Sequence, residues 1–168
     1  MSETLTAIGI GGNLGNREDT LNRAIKALAK TPGINIVRQS PWYETAPVGF
    51  DDQPFFLNGA LAAISSLTPR NLLLVLHRIE HRFGRIRNTP DSPRRVDLDL
   101  LLFDDLIIDE ADLVVPHPRM TKRAFVLVPL ADILPEAIHP VTRSTIADML
   151  FKLGDLDQLV TPYSRENT

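Results

Sequence analysis

Two aspartates, Asp97 and Asp99, are the strongest candidates for chemistry in this sequence. They are separated by a single residue in the apolar segment RRVDLDLLLF, residues 94–103. Side chains alternate along a strand, so both carboxylates would share one face while Val96 and Leu98 pack on the other. Because like charges at this spacing repel, a divalent cation would stabilise the pair, and hard oxygen ligands favour Mg²⁺ bound together with substrate phosphates. The pattern predicts either a magnesium site or a solvated strand face.

A basic loop precedes this segment and changes the balance between the two interpretations. Residues 84–95 contain four arginines and one aspartate. Cations next to a carboxylate pair make a site suited to a metal-bound polyphosphate. The loop therefore favours the metal site over the solvated face.

The glycine-rich segment GIGGNLG, residues 9–15, suggests a nucleotide-binding loop but does not match one. A dinucleotide fingerprint needs a glycine where this chain has Leu14, and no Walker lysine follows. We expect Gly11, Gly12 and Gly15 to form a tight turn, with Asn13 able to line a site.

Other candidates each have a structural alternative. His77 and Glu80 are three apart on a predicted helix, which is typical of a solvated helix face as well as of a ligand contact. His117 lies between two prolines and is expected to serve a rigid turn rather than to act as a base. Phe56 and Phe125, taken one at a time, are typical of a core.

Composition limits the kinds of protein this chain can be. Its 168 residues, 43% hydrophobic, suit one globular domain. The absence of cysteine excludes disulfides, a thiolate nucleophile and cysteine-ligated zinc. A net charge of -3 argues against coating nucleic acid, and no apolar run approaches the roughly 20 residues of a membrane span. We expect a cytoplasmic protein.

The predicted elements follow the order strand, helix, strand, strand, helix, strand in the first 100 or so residues. This order predicts a ferredoxin-like α+β sheet with two helices on one face and the opposite face free for a ligand. The chain from Ile107 onward is expected to extend the same domain. We therefore predict a single domain over residues 1–158 and a tail over residues 159–168.

Several motifs together resemble one family, the 6-hydroxymethyl-7,8-dihydropterin pyrophosphokinases of folate biosynthesis. They are GGNLG (11–15), YETAPVG (43–49), FLN (56–58), RIE (78–80), GRIR (84–87), RVDLDLLLF (95–103), VPHPRM (115–120) and RAF (123–125). The sequence differs from the family pattern in the loop at residues 88–93, which lacks the tryptophan usual in the family.

The resemblance implies an α+β fold and transfer of the pyrophosphoryl group of ATP to the pterin hydroxymethyl, releasing AMP. Asp97 and Asp99 would hold two Mg²⁺ ions, and Arg85 and Arg87 would act with them in catalysis. The residues expected to contact ATP are His77, Glu80, Arg85, Arg87, Arg94, Leu100, His117 and Arg123. Those expected to bind the pterin are Asn13, Thr45, Pro47, Val48, Phe56, Asn58 and Phe125, with the two rings as a sandwich and Asn58 on the pterin edge.

Two other functions are compatible with parts of the sequence. A non-catalytic, nucleotide-binding homologue would keep the fold, although the presence of Asp97, Asp99 and Asn58 argues against it. An RNA-binding ferredoxin-like module would need exposed strand aromatics in a basic field, which this chain lacks. We expect a monomer whose partners are small molecules rather than nucleic acid or membrane.

Overall fold

Eight strands and four α-helices make up the part of the chain that the structure, a computed structural model, describes: residues 2–47, 52–84, 93–154 and 160–165. The strands are β1 (Thr4–Gly12), β2 (Ile34–Gln39), β3 (Tyr43–Thr45), β4 (Phe56–Ser65), β5 (Asp97–Phe103), β6 (Ile108–Glu110), β7 (Leu113–Val115) and β8 (Val160–Pro162). The helices are α1 (Arg17–Ala29), α2 (Pro69–Arg82), α3 (Ala124–Ile133) and α4 (Ile146–Leu153). None of these helices is long and apolar enough to cross a membrane.

The main sheet has six strands, all paired antiparallel, in the order β5-β1-β4-β3-β8, with β2 also paired to β4. The ten-residue β4 pairs with β1 along one edge, and along its other edge it is long enough to pair with β3 at its start and β2 at its end. The succession β1-α1-β2-β4-α2-β5 confirms the predicted strand and helix order. The short β3 and β8 were not predicted, and β8 lies within the range assigned to the tail.

One face of the sheet packs against α1 and α2. Both helices begin at a capping side chain: Asn16 accepts from the Asp19 N–H, and Thr68 accepts from the Asn71 N–H ahead of Pro69. Their apolar stripes meet the inward side chains of the strands in one buried cluster, which includes Ile8, Ile10, Leu21, Leu28, Leu57, Leu61, Leu72, Leu76 and Leu98.

The C-terminal extension covers part of the opposite face, which we expected to be free for a ligand. Small strand residues such as Ala60 and Ala62 allow α3 to approach closely, α4 packs on α3, and Leu127, Leu130 and Met149 belong to the resulting cluster. The strands have apolar side chains on both faces, so those on this face must also be buried by other elements. The uncovered remainder of the face holds the cavity described below.

Glu80 joins α2 to the strand that carries the two aspartates. Its side chain is 1% exposed, and Oε1 accepts the Leu98 N–H at 2.8 Å. β5 ends the sheet, so this carboxylate binds a backbone group of the last strand. The interpretation of Glu80 as part of a solvated helix face is wrong, and the neighbouring His77 is half-buried.

Replacing Glu80 by alanine should lower the free energy of unfolding by about 1–3 kcal/mol, because a buried N–H loses its acceptor. Glu80→Gln keeps an oxygen acceptor and should lose less than half as much. Urea denaturation measures both, with Glu136→Ala as the control at an exposed glutamate. Equal stability of Glu80→Ala and the unmodified protein would contradict this role.

Candidate active site

A cavity of about 380 Å³ opens on the sheet face beside α3. It brings together eight of the predicted site residues: Thr45, Phe56, Asn58, Arg94, Asp97, Asp99, Arg123 and Phe125. Its wall also contains residues that sequence reasoning did not assign to a site: Gly9, Ile10, Gly11, Ala46, Gly59, Arg119, Lys122 and Val126.

The strand register explains why the two aspartates face open space. In the β1–β5 pair Asp97 lies opposite Gly11, and Asp99 lies opposite Gly9. Directly opposed residues point to the same face, and glycine adds no side chain there. Thus the strand that neighbours the carboxylates adds no side chain to the cavity at these two positions.

Asn58 occupies the space above Gly11. A Cβ atom built on Gly11 would lie 2.2 Å from Asn58 Oδ1. The Asn58 Nδ2–H donates to Thr45 Oγ1 at 2.6 Å, which fixes the orientation of the amide. Asn58 and Thr45 are 8% and 3% exposed, so they form a rigid polar wall.

Gly12 lies against the backbone at the start of β5. A Cβ atom on Gly12 would lie 2.1 Å from the carbonyl oxygen of Arg95. The expectation that Gly11 and Gly12 form a turn is therefore wrong: both belong to β1, and their small size permits close approach of Asn58 and Arg95. Gly15, with φ at +68°, lies in the turn that precedes α1.

Gly12→Ala should lower the free energy of unfolding by about 1–3 kcal/mol, because its methyl group forces the Arg95 backbone away. Gly9→Ala is the matched control, since its methyl group would meet the Leu101 side chain at an ordinary 3.5 Å. Chemical denaturation of both variants measures the difference. A Gly12→Ala variant as stable as Gly9→Ala would contradict the close approach.

Positive side chains surround the carboxylate pair. Arg94 Nε lies 3.4 Å from Asp97 Oδ2, and both side chains are largely buried. Arg119, Lys122 and Arg123 line the same cavity. Sequence reasoning found Arg123 and missed Arg119 and Lys122, although the stretch RMTKR, residues 119–123, is itself a signal of clustered charge. This arrangement suits an anion that carries a bound divalent cation.

Two phenylalanine rings give the cavity apolar walls. The Arg94 guanidinium carbon lies 4.9 Å from the centre of the Phe56 ring, and that of Arg123 lies 5.3 Å from the Phe125 ring. Both rings line the cavity, so neither is a simple core residue. Flat apolar walls next to a polar amide suit a heterocyclic ring with hydrogen-bonding edges.

Six of the predicted site residues do not line the cavity: Asn13, Pro47, His77, Glu80, Leu100 and His117. Leu100 is 4% exposed within the core on the other face. Val48, Arg85 and Arg87 lie outside the described residues.

Asn13 lies behind the cavity wall and connects two segments. Its Oδ1 accepts the Arg94 N–H at 2.8 Å, and its Nδ2 donates to Gln53 Oε1 and to the Pro54 carbonyl. The Asn13 N–H also donates to the Arg94 carbonyl. These bonds fix where Arg94 enters the site.

The carboxylate pair fits Mg²⁺ bound together with a substrate. Within the described residues, no group of three or more His, Cys, Asp or Glu side chains is placed to hold a metal ion. Asp97 and Asp99 alone offer too few ligands for a metal cage made only of protein. Mg²⁺ instead uses one or two carboxylates together with substrate phosphates and water, which matches this donor set.

His117 is held neutral by its surroundings. Burial, together with the positive charges of Arg123 and Arg119, lowers its pKa from 6.5 to about 4, against a smaller opposing effect of the Asp97 carboxylate. Its Nδ1 accepts the Arg119 N–H at 3.2 Å, as expected for a residue that shapes a turn. Nε2 is then the nitrogen that carries a proton in the neutral ring.

The metal-free protein should lose stability as the pH falls from 6.5 towards 4. In this window the unfolded chain binds a proton at His117 that the folded chain does not bind, which costs at most about 1.4 kcal/mol per pH unit. His117→Asn keeps an acceptor for the Arg119 N–H but cannot titrate, so its stability should fall less steeply. Burial also lowers the pKa of His139, which contributes equally in both proteins. Identical slopes in urea denaturation across this range would contradict the assignment.

The fold and site together define a class of enzyme. A sheet that holds a carboxylate pair among several cations, next to a pocket with aromatic walls, is typical of transfer of a phosphate-containing group. The family model for 7,8-dihydro-6-hydroxymethylpterin-pyrophosphokinase (HPPK) matches residues 7–135. The chain belongs to this family, which confirms the resemblance seen in its motifs.

Curated relatives agree with the family assignment. The chain is 43% identical over 143 residues to the 2-amino-4-hydroxy-6-hydroxymethyldihydropteridine pyrophosphokinase of Synechocystis, covering 85% of this chain and 73% of the relative. It is 41% identical over 150 residues to the enzyme of the same name from Methylorubrum extorquens, covering 89% and 94%.

Solved structures agree with the fold. The wild-type HPPK-DHPS of Plasmodium falciparum, crystallised with pterin and p-hydroxybenzoate, matches with a TM-score of 0.71 at 17% identity. The match covers 90% of this chain and 43% of that longer one. The structural neighbours confirm the ferredoxin-like fold.

Proposed function

We propose that this chain transfers the pyrophosphoryl group of ATP to the hydroxymethyl group of 6-hydroxymethyl-7,8-dihydropterin, giving AMP and the pterin diphosphate. The observation that carries the proposal is that one cavity holds both the Asp97 and Asp99 carboxylates and the Phe56, Asn58 and Phe125 wall. The expected partners are these two small molecules, and the proposed state is a monomer.

The pterin would bind on the Asn58 side of the cavity. Its flat ring would lie between Phe56 and Phe125, whose faces supply apolar contact. The Thr45 hydroxyl fixes the Asn58 amide, so the amide can read the donors and acceptors on the ring edge. This placement leaves the hydroxymethyl group near the carboxylates.

The triphosphate would bind beside the pterin, among the cations Arg94, Arg119, Lys122 and Arg123 that line the same cavity. Asp97 and Asp99 would hold Mg²⁺, for which we propose two ions. The bound metal would supply charge neutralisation on the phosphate oxygens and alignment of the hydroxyl. Further contributions from Arg85 and Arg87 stay predictions, as do the ATP contacts of His77, Glu80, Leu100 and His117.

The transfer itself is an in-line displacement at the β-phosphorus. The hydroxymethyl oxygen forms the new bond to this phosphorus, and the bridging oxygen leaves with AMP. The hydroxyl proton passes to solvent. The residues of this chain position the two substrates and stabilise the charge that develops between them.

Product analysis tests the proposal directly. The protein incubated with ATP, Mg²⁺ and hydroxymethyl-dihydropterin should form AMP and the pterin diphosphate in equal amounts. Formation of ADP instead would indicate transfer of a single phosphoryl group. Binding of both substrates with no product would support the alternative, a non-catalytic homologue, which the family assignment and the intact carboxylate pair disfavour.

Asp97→Asn and Asp99→Asn should each reduce kcat more than tenfold, a loss above about 1.4 kcal/mol, because each removes a metal ligand at nearly constant volume. The melting temperature of Asp99→Asn should not fall, since removing one charge relieves the repulsion within the pair, whereas Asp97→Asn also loses the contact with Arg94 and should melt lower. Asp109→Asn, at an exposed position on β6, is the matched control. Retention of more than a tenth of kcat in either variant would show that the pair does not hold an essential metal.

A further inference from the structure

We propose that residues 160–165 form a strap that positions the pterin wall of the cavity, with Tyr163 and Arg165 as its anchoring residues. The pterin wall is formed by Thr45 on β3 and by Phe56 and Asn58 on β4. This inference rests on the proposed function for the identity of the wall. The segment lies beyond residues 7–135, which match the family model. Its contacts with β3 and α1 indicate its role.

The strap covers the edge of β3. Strand β8 pairs antiparallel with β3, with Val160 opposite Thr45 and Thr161 opposite Glu44. One residue further on, the Tyr163 N–H donates to the Trp42 carbonyl at 3.0 Å. A three-residue strand at a sheet edge has few bonds of its own, so this pairing stabilises β3.

Two side chains anchor the strap to the start of α1. Arg165 makes a two-pronged contact with the Glu18 carboxylate, in which Nη2 donates to Oε1 at 2.7 Å and Nε donates to Oε2 at 2.9 Å. The ring of Tyr163 lies 5.7 Å from the Arg17 guanidinium carbon. Bidentate geometry and a stacked cation give this end of the strap a defined position.

Arg17 carries the connection to the cavity wall. Its Nη2 donates to Glu44 Oε2 on β3 at 2.6 Å, and its Nη1 donates to the Phe55 carbonyl at 2.9 Å. Phe55 directly precedes Phe56, which lines the cavity. The strap, β3 and the residue before β4 therefore all contact the guanidinium group of Arg17, which belongs to α1.

A short side-chain bond adds to the backbone pairing of β3 with β4 and fixes the Asn58 amide to β3. Thr45, paired to Val160 on one side, accepts from Asn58 Nδ2 on the other. A shift of β3 would move the Thr45 hydroxyl and release the Asn58 amide. The carboxylate pair lies on β5, two strands beyond β4, so a loosened strap should spare the ATP side.

The test uses the full-length double variant Tyr163→Ala/Arg165→Ala. Loss of a stacked cation and a two-pronged ion pair should raise the KM for the pterin by about fivefold, with kcat and the KM for ATP changed less than about twofold. Amide hydrogen exchange at residues 43–45 should become faster. Tyr163→Phe/Arg165→Lys keeps the ring and the charge but not the two-pronged contact, and should restore the pterin KM in part.

Arg70→Ala is the matched control, because it removes another exposed arginine pair, with Glu110 and Asp112, away from the strap. Asn58→Ala, run in parallel, tests the pterin wall itself. If Asn58→Ala raises the pterin KM and the strap variant does not, the strap inference alone is overturned. If Asn58→Ala has no effect, the wall assignment fails and the inference with it. If the strap variant raises the KM for ATP as much as the KM for the pterin, the strap has only a structural role. The same conclusion follows if Arg70→Ala also raises the pterin KM alone.

Discussion

The close packing around the end of β1 is the constraint on which the site depends. Gly9 and Gly11 add no side chain to the cavity face, so Leu101 and the Asn58 amide lie against them, while Gly12 faces the Arg95 carbonyl. A side chain at Gly11 would displace the Asn58 amide, and one at Gly12 would displace the start of β5. Both the polar wall and the carboxylate strand therefore take their positions from the absence of side chains on a single strand.

This packing places opposite kinds of surface within one small volume. The cavity combines the Phe56 and Phe125 rings and a fixed amide with two carboxylates and several cations. A flat heterocycle joined to a growing phosphate chain has the same division between apolar and charged parts. Arg94 contacts both kinds of surface, since its guanidinium stacks on Phe56 while its Nε faces Asp97.

The sequence predicted the features that follow from local patterns. Alternation placed Asp97 and Asp99 on one face of β5, and capping residues located α1 and α2. It did not predict β3 and β8, because three-residue strands have no periodicity of their own and depend on partners distant in the chain. The burial of Glu80 was missed for a similar reason: its acceptor role depends on Leu98, which lies eighteen residues away and on another element. Motif resemblance, rather than spacing, identified Asn58 and Phe125.

A crystal structure of the full chain with Mg²⁺, a nonhydrolysable ATP analogue and hydroxymethylpterin tests the central claim most directly. We expect the pterin ring between Phe56 and Phe125 with its edge on Asn58, and Mg²⁺ about 2.1 Å from oxygens of Asp97 and Asp99. Nucleotide bound instead in the groove beside the start of α1, lined by Asn16, Asp19 and Tyr163, would contradict it. So would Mg²⁺ coordinated by neither aspartate.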